Sequence, residues 1–281
     1  MFTIEAPAKI NLTLEVLGKR PDGYHEIRSV IQTLQFGDSL QIYPTKNIFF
    51  KCDLPEWLPE KSLVTKAIKL LQETTGCTKG TTIRIAKRIP LMSGLGGDSS
   101  DAAAVLLGLN QLWDLRLTQN SLQEMTQKLG SDITFFLTGG TALMEDRGEK
   151  ITPLPPVPHQ WVILIFPRVP KLPDKTKRLY SMLRPCHYSD GTFTDKLMAD
   201  LKSGQNFKAL SLFNTFENVA FSRGEELTNY REHILKIGAP NIHLAGSGPT
   251  LLILLEDKFQ AEDLLERLKN QGMESVLTET R

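Results

Sequence analysis

Apolar and polar residues alternate with a period of two over residues 10–17, Ile-Asn-Leu-Thr-Leu-Glu-Val-Leu. That period sends every second side chain to one face and predicts a half-buried strand. A Pro21-Asp22-Gly23 turn signal separates it from a second β-like run over 27–36. Shorter strands are predicted at 39–43, 48–51 and 81–86. The period lengthens over 62–75, where Leu63, Ala67, Leu70 and Leu71 recur at helical spacing and Gly76 closes the run. A glycine-rich stretch then leads into Ala102, Val105, Leu106, Leu109 and Leu112, the pattern of an amphipathic helix. Another helix is predicted over 118–129, ending at Gly130. Residues 132–136 and 141–145 read as a turn into strands.

Residues 152–159 contain Pro153, Pro155, Pro156 and Pro158. Such density stops helix and sheet alike and suits a stiff connector. The predicted boundary falls there, giving an N-terminal domain over 1–157 and a C-terminal domain over 158–281. The second half carries a predicted strand at 161–166 and helices at 174–183, 192–202 and 225–237, the last with Leu227, Tyr230, Ile234 and Ile237 on one face. A Gly246-Ser247-Gly248-Pro249 turn stands between predicted strands at 242–245 and 250–255. A helix over 258–270 and a strand over 275–278 follow. Groups of strands packed by separate helices predict an α+β fold rather than a doubly wound parallel sheet.

The chain's 281 residues suffice for two domains with a core each. Its 33 Lys and Arg nearly cancel 32 Asp and Glu. A protein that wraps nucleic acid is thereby excluded, because that affinity is built from excess cations on phosphates. A small anionic ligand held by local groups is not. Cys52, Cys77 and Cys186 form no Cys-x-x-Cys pair, which fits a reducing compartment and offers no zinc site. The first residues lack the basic head and apolar core of a secretory signal, and no apolar run approaches the ~20 residues that span a bilayer. A cytoplasmic protein that touches neither membrane nor nucleic acid is expected.

The strongest chemical signal is the string Pro90, Leu91, Met92, Ser93, Gly94, Leu95, Gly96, Gly97, Asp98, Ser99 and Ser100. Its glycines let backbone N–H groups approach an anion closely, and the helix behind it adds unpaired donors and a positive dipole end. No Gly-Lys-Ser or Gly-Lys-Thr closes it, so it is not a Walker A loop, and it lacks the dinucleotide Gly-x-Gly-x-x-Gly arrangement. Three glycines alone would serve a helix-capping loop equally well. The whole string from Pro90 through Ala104, however, resembles the phosphate-binding loop of the GHMP kinase superfamily.

Five further segments stand in the order of that superfamily's 4-diphosphocytidyl-2-C-methyl-D-erythritol kinases. They begin with Ala6-Pro7-Ala8-Lys9-Ile10-Asn11-Leu12 and Asp22-Gly23-Tyr24-His25. Gly130-Ser131-Asp132-Ile133-Thr134-Phe135-Phe136, Asn214-Thr215-Phe216-Glu217-Asn218 and Ala245-Gly246-Ser247-Gly248-Pro249-Thr250 complete them. The resemblance implies a two-domain GHMP kinase fold, with an N-terminal domain like the second domain of ribosomal protein S5 and a ferredoxin-like C-terminal domain. It also implies ATP and Mg²⁺, a cytidine diphosphate ester as acceptor, and a monomer or homodimer. The reaction implied is phosphorylation of the acceptor's 2-hydroxyl in the non-mevalonate route to isoprenoids. The alternatives are a GHMP kinase for a mevalonate-, homoserine- or sugar-type alcohol, which the Asp-Gly-Tyr-His segment speaks against, and a non-catalytic nucleotide sensor.

Roles follow from the resemblance, each beside a plainer reading. Asp132 alone is a helix-cap residue; by resemblance it accepts the hydroxyl proton. Lys9 alone is a solvated edge charge; by resemblance it lies beside that aspartate and the transferred phosphate. Asn11 shares the Lys9 face of a strand and is implied to contact substrate. Tyr24 and His25 are either surface loop residues or the pair that recognises cytosine. Tyr180, four residues after Thr176, is implied as a second aromatic wall, although Asp174-Lys175-Thr176 departs from the Val-Ser-Thr form common in the family. Asp98 stands where many relatives carry glycine. It either binds Mg²⁺ or points outward as a helix-start residue, and like-charge repulsion from a triphosphate favours the outward reading.

Overall fold

The computed structural model describes residues 1–170, 174–204, 212–223 and 225–281. In chain order the elements begin with β1 (Phe2–Asn11), β2 (Thr13–Lys19), β3 (His25–Thr45), β4 (Ile48–Cys52), α1 (Leu63–Thr75) and β5 (Gly80–Ala86). Helices α2 (Gly97–Leu112), α3 (Gln119–Thr126) and α4 (Ser131–Phe136) follow, then β6 (Thr141–Asp146), β7 (Lys150–Pro153) and β8 (Trp161–Ile165). Next come α5 (Lys175–Met182), α6 (Thr192–Ser203), β9 (Phe213–Asn214), α7 (Glu217–Arg223) and α8 (Glu225–Lys236). The chain closes with β10 (His243–Leu244), β11 (Leu251–Leu255), α9 (Lys258–Asn270) and β12 (Ser275–Glu279). The architecture is α+β, as expected.

Three stretches differ from expectation. The proline-rich stretch, expected to stop helix and sheet alike, begins inside the sheet, since Thr152 and Pro153 end β7 opposite Leu143 and Ala142 of β6. Residues 132–136 lie in helix α4, not in a turn leading to a strand. The run Ile133-Thr134-Phe135-Phe136 has strand-like residue types, but all four are buried, and burial outweighs local preference. Residues 27–36 and 39–43 form one strand, β3, rather than two. Gly37 reads as a break, yet its missing side chain is a spatial requirement: a Cβ there would lie 2.5 Å from the Ala6 carbonyl oxygen. The short β9, helix α7 and the first residues of β1 carry no periodicity long enough to announce them.

The chain gathers into two compact units that interleave in sequence. The first comprises Met1–Ala8, Phe36–Leu91 and Gly96–Gly139; the second comprises Lys9–Gln35, Met92–Leu95 and Gly140–Arg281.

In the first unit β5 pairs antiparallel with the Ser39–Thr45 part of β3 and parallel with β4. Helix α1 buries Val64, Ala67, Ile68 and Leu71 and starts on Ser62, whose hydroxyl accepts from Val64 N. Gly76 ends it in a left-handed conformation, φ 67°. Helix α2 is buried nearly all round from Ser100 to Leu109, so it is the unit's central helix rather than a one-sided surface helix.

Asp38, Lys87 and Asp101 anchor α2 from below. The Lys87 ammonium donates to Asp38, and to Asp101 at 2.8 Å, with all three side chains at most 2% exposed. Asp38 also accepts from Arg88 N at 2.6 Å and Ile89 N at 2.8 Å. Three donors mark Asp38 as the anion of the group. Asp101 takes only the lysine, and its other oxygen has no hydrogen-bond partner among the described residues. Burial pushes the Asp101 carboxyl well above its ordinary value, against the pull of Lys87. Burial alone would lower Lys87, but Asp101 and Asp38 outweigh it and raise the amine. Lys87 is thus clamped between two buried carboxyl groups.

In the second unit β10, β11, β8 and β12 form an antiparallel sheet in that order. Every residue of β11 is buried, as are Val162, Ile163, Leu164 and Ile165 of β8. Helix α9 covers the sheet with Ala261, Leu264 and Leu268. In the same unit β2 and β6 run antiparallel to the first part of β3, β7 pairs with β6, and the short β9 pairs parallel with β2. Glu15 of β2 is fully buried, and its carboxylate accepts from Gly191 N at 3.2 Å and Thr194 N at 2.8 Å. With Asp190, which accepts from Thr192 N at 3.1 Å, it caps the α6 N-terminus.

Lys87→Met should lower stability by about 3–5 kcal/mol in urea denaturation, because it strands buried carboxyl groups without their cation. Asp101→Asn, which copies the protonated form, should stay within about 1 kcal/mol of wild type at neutral pH. A carboxyl raised in the native state binds its proton where the unfolded chain has released it. Wild-type stability should therefore fall as pH rises above the ordinary carboxylate range of about 4, levelling off past the raised value. Asp101→Asn should lose that part of the slope.

Candidate active site

In the second unit the end of β1 presents Lys9 and Asn11, two residues apart and both buried. Lys9 Nζ donates to Asn11 Oδ1 at 2.9 Å, and Asn11 Nδ2 donates to Ser29 Oγ at 2.8 Å. Ser29 passes its proton to the Thr13 carbonyl at 2.5 Å. The relay fixes which way the Asn11 amide faces. The Asn11 amide oxygen thus orients the Lys9 ammonium at the end of β1.

The same unit contains the middle of the glycine-rich loop. Lys9 N donates to Leu95 O at 3.0 Å, and Thr250 N donates to Ser93 O at 3.3 Å. Gly94 lies against the turn after β10: a Cβ there would sit 2.2 Å from Ala245 O and 2.9 Å from Gly248 N. Its φ of +88° is a second reason for glycine. Ser93 and Leu95 are buried, while Met92 is exposed. Asn214 clamps that turn from β9, its amide donating to Leu244 O and Gly246 O, both at 2.8 Å. The sequence singled out the Asn214 motif without giving it a task, and this is the task.

His25 opens β3 and stacks on Tyr180 of α5, ring centroids 4.8 Å apart and 20° between planes. Tyr188 meets His25 edge-on at 6.1 Å, and Tyr180 stands edge-on to Phe216 at 4.9 Å. Burial, with Lys19 second, holds the imidazole below its ordinary value. A neutral ring can donate at one nitrogen and accept at the other, which a nucleobase edge requires. Tyr24 stays exposed under the Arg147 guanidinium, 5.0 Å from the ring centroid. Thr176 Oγ1 lies 2.9 Å from Ser247 Oγ. The structure therefore brings His25, Tyr180 and the Thr176 end of α5 into one unit but leaves Tyr24 outside the stack. Phe216 and Tyr188 were not predicted; only Phe216 lay in a motif.

The first unit holds the two ends of the loop. Pro90 and Leu91 follow β5, and Gly96 begins α2 in a left-handed conformation, φ 74°, accepting from Ser100 N at 2.9 Å. Gly97 and Ser99 are half-buried in the first turn, and Ser100 is buried with its hydroxyl unpartnered among the described residues. Asp98 is committed elsewhere: it accepts from Ser62 Oγ at 2.7 Å and Leu63 N at 3.0 Å and so caps α1. Asp132 is half-buried in the first turn of α4. Among the described residues no three His, Cys, Asp or Glu side chains cluster as metal ligands, and no helix is long and apolar enough to cross a membrane.

Known proteins resemble this chain over its whole length. The GHMP kinases N terminal domain model matches residues 62–140, and the GHMP kinases C terminal model matches 197–274. A 4-diphosphocytidyl-2-C-methyl-D-erythritol kinase of Dehalococcoides mccartyi is 48% identical, covering 100% of this chain and 98% of its own. One from Symbiobacterium thermophilum is 37% identical, covering 99% of both. A crystal structure of a 4-(cytidine 5'-diphospho)-2C-methyl-D-erythritol kinase superposes with a TM-score of 0.84 at 30% identity, covering 99% of each chain. A homoserine kinase of Cytophaga hutchinsonii shares the fold at 19% identity and a TM-score of 0.69, covering 99% of this chain and 94% of its own. The chain belongs to the GHMP kinases, in the family of the 4-diphosphocytidyl-2-C-methyl-D-erythritol kinases.

Proposed function

We propose that the protein transfers the γ-phosphoryl group of ATP to the 2-hydroxyl of 4-diphosphocytidyl-2-C-methyl-D-erythritol, in the non-mevalonate route to isoprenoids. The observation that carries the reading is 48% identity over the full length of a kinase with that acceptor in its name. The His25–Tyr180 stack supports it, since a neutral imidazole beside a phenol ring suits a cytosine. Phosphoryl transfer to an alcohol needs an aligned hydroxyl, a held triphosphate and cancelled charge. Asp132 takes the hydroxyl proton, Lys9 offsets the charge on the transferred group, and Pro90 to Ser100 cradle the ATP phosphates. Asn11 orients the reacting end of the acceptor, with Thr176 and Tyr180 beside it and Tyr24 at its outer edge.

Mg²⁺ fits this loop as a companion of the triphosphate rather than as an ion caged by protein. The described residues offer no acidic cluster, whereas the Ser100 hydroxyl is a buried oxygen in want of a partner. Bound with the nucleotide, the metal supplies charge neutralisation at the phosphate oxygens. The family's domain boundary is proposed at residue 157. The N-terminal model match ends at 140 and the C-terminal one begins at 197, on either side of the proline-rich stretch. The cytoplasm is the proposed location, in keeping with three free cysteines.

Steady-state assays with this acceptor, and with mevalonate and homoserine as controls, test the reading; turnover with a control alcohol alone would overturn it. Asp132→Asn should lower kcat by about 10²–10⁴-fold with KM for both substrates little changed, and Lys9→Met should do the same. Near wild-type turnover in Asp132→Asn would end the assignment. Asp98→Asn should cost about 1 kcal/mol of stability through the lost α1 cap and leave kcat within about twofold. An inactive Asp98→Gly that keeps its fold would instead make Asp98 a metal ligand.

A further inference from the structure

Helix α5 brings a second lysine to the glycine turn beside Lys9. Lys175, its first residue, donates from Nζ to the Gly248 carbonyl oxygen. The next residue, Thr176, meets the Ser247 hydroxyl. At the turn's other glycine, a Cβ on Gly246 would lie 3.4 Å from Lys9 Nζ and 3.3 Å from Asn11 Oδ1. Two ammonium groups, the Thr176 hydroxyl and an amide thus surround the three residues Gly246, Ser247 and Gly248.

Lys175 carries a charge that its neighbours among the described residues leave uncompensated. A lysine withdrawn from water is ordinarily paired with a carboxylate. Lys87 has two such partners, whereas among the described residues Lys175 has one neutral carbonyl and no carboxylate. Burial pushes its amine down to about 8, with no opposing charge to raise it. An ammonium carries three donors, and one is used. The lysine stands in this chain's Asp174-Lys175-Thr176, at the start of α5.

Tyr180 lies five residues further along α5, about 7.5 Å along the helix axis. One helix therefore presents an aromatic wall near one end and a cation with a hydroxyl at the other. A nucleoside diphosphate has the same layout: a planar base, then a sugar, then paired anions. We propose that Lys175 is a specificity-determining residue that binds the diphosphate of the cytidine ester whose base lies against His25 and Tyr180, with the Thr176 and Ser247 hydroxyls as further contacts. The assignment rests on the acceptor reading given above. On binding, the ammonium gains phosphate oxygens and with them the counter-charge that it lacks. The lysine touches no reacting atom, so its effect belongs in acceptor affinity rather than in turnover.

Isothermal titration of the full-length protein with cytidine and with CDP reads this directly, a non-hydrolysable ATP analogue being present throughout so that only the acceptor site responds. Wild type should bind CDP at least about tenfold tighter than cytidine, as a charge-assisted contact implies. Lys175→Met and Lys175→Ser should each lose most of that preference while cytidine affinity stays within about twofold, and Lys175→Arg should keep it. In kinetics, KM for the diphosphate ester should rise at least about tenfold with kcat and the KM for ATP nearly unchanged. Thermal melts of both variants at or above the wild-type midpoint establish that they fold, as expected when an uncompensated charge is removed. An unchanged preference for CDP in both folded variants would overturn the inference alone, as would equal losses for cytidine and CDP. A wild-type protein that binds neither ligand would overturn the acceptor reading and this inference with it.

Discussion

A glycine-rich backbone keeps one shape only when groups other than its own side chains hold it still. In the second unit three constraints do this for Met92–Leu95: the Lys9 amide on Leu95, the Thr250 amide on Ser93, and the contact of Gly94 with Ala245 and Gly248 that leaves no space for a Cβ. In the first unit the stretch from Gly96 is the start of α2, which is fixed by the buried Asp38–Lys87–Asp101 group and by the engagement of Asp98 with α1. Glycine at these positions gives close approach; the surroundings remove the entropy that glycine would otherwise retain.

Three withdrawn lysines show how one residue type is adjusted to different work. Lys87 is matched by two carboxyl groups and serves as a structural clamp. Lys9 has the Asn11 amide oxygen, which orients it at the end of β1. Lys175 has only the Gly248 carbonyl among the described residues. The nearly balanced overall composition says nothing of these differences, because local potential is set by which charges share a low-dielectric region.

Much of the fold was legible because its signals are local. Helix α1 is bracketed by Ser62 and Gly76, and β8, β11 and α9 are set by plain runs of apolar residues. What escaped depends on distant partners. The strand-like residues of α4 become helical because they are buried, and Gly37 continues a strand because Ala6 lies against it. The loop, Lys9, Asn11 and His25 are candidates because they stand in ordered motifs, whereas Tyr188 and Lys175 were not singled out as site residues. The position of Lys175 against Gly248 is a contact across 73 residues that no spacing rule reveals.

The carboxylate of Asp98 joins two helices through one residue: it lies in the first turn of α2 and holds the first turn of α1. The start of α1 cannot open without releasing an oxygen that belongs to the loop's own helix. Amide exchange at Leu63, whose N–H ends on that oxygen, is therefore coupled to the order of residues 35 positions away. A ligand that quiets the loop will slow exchange at Leu63, giving loop occupancy a reporter in a neighbouring helix.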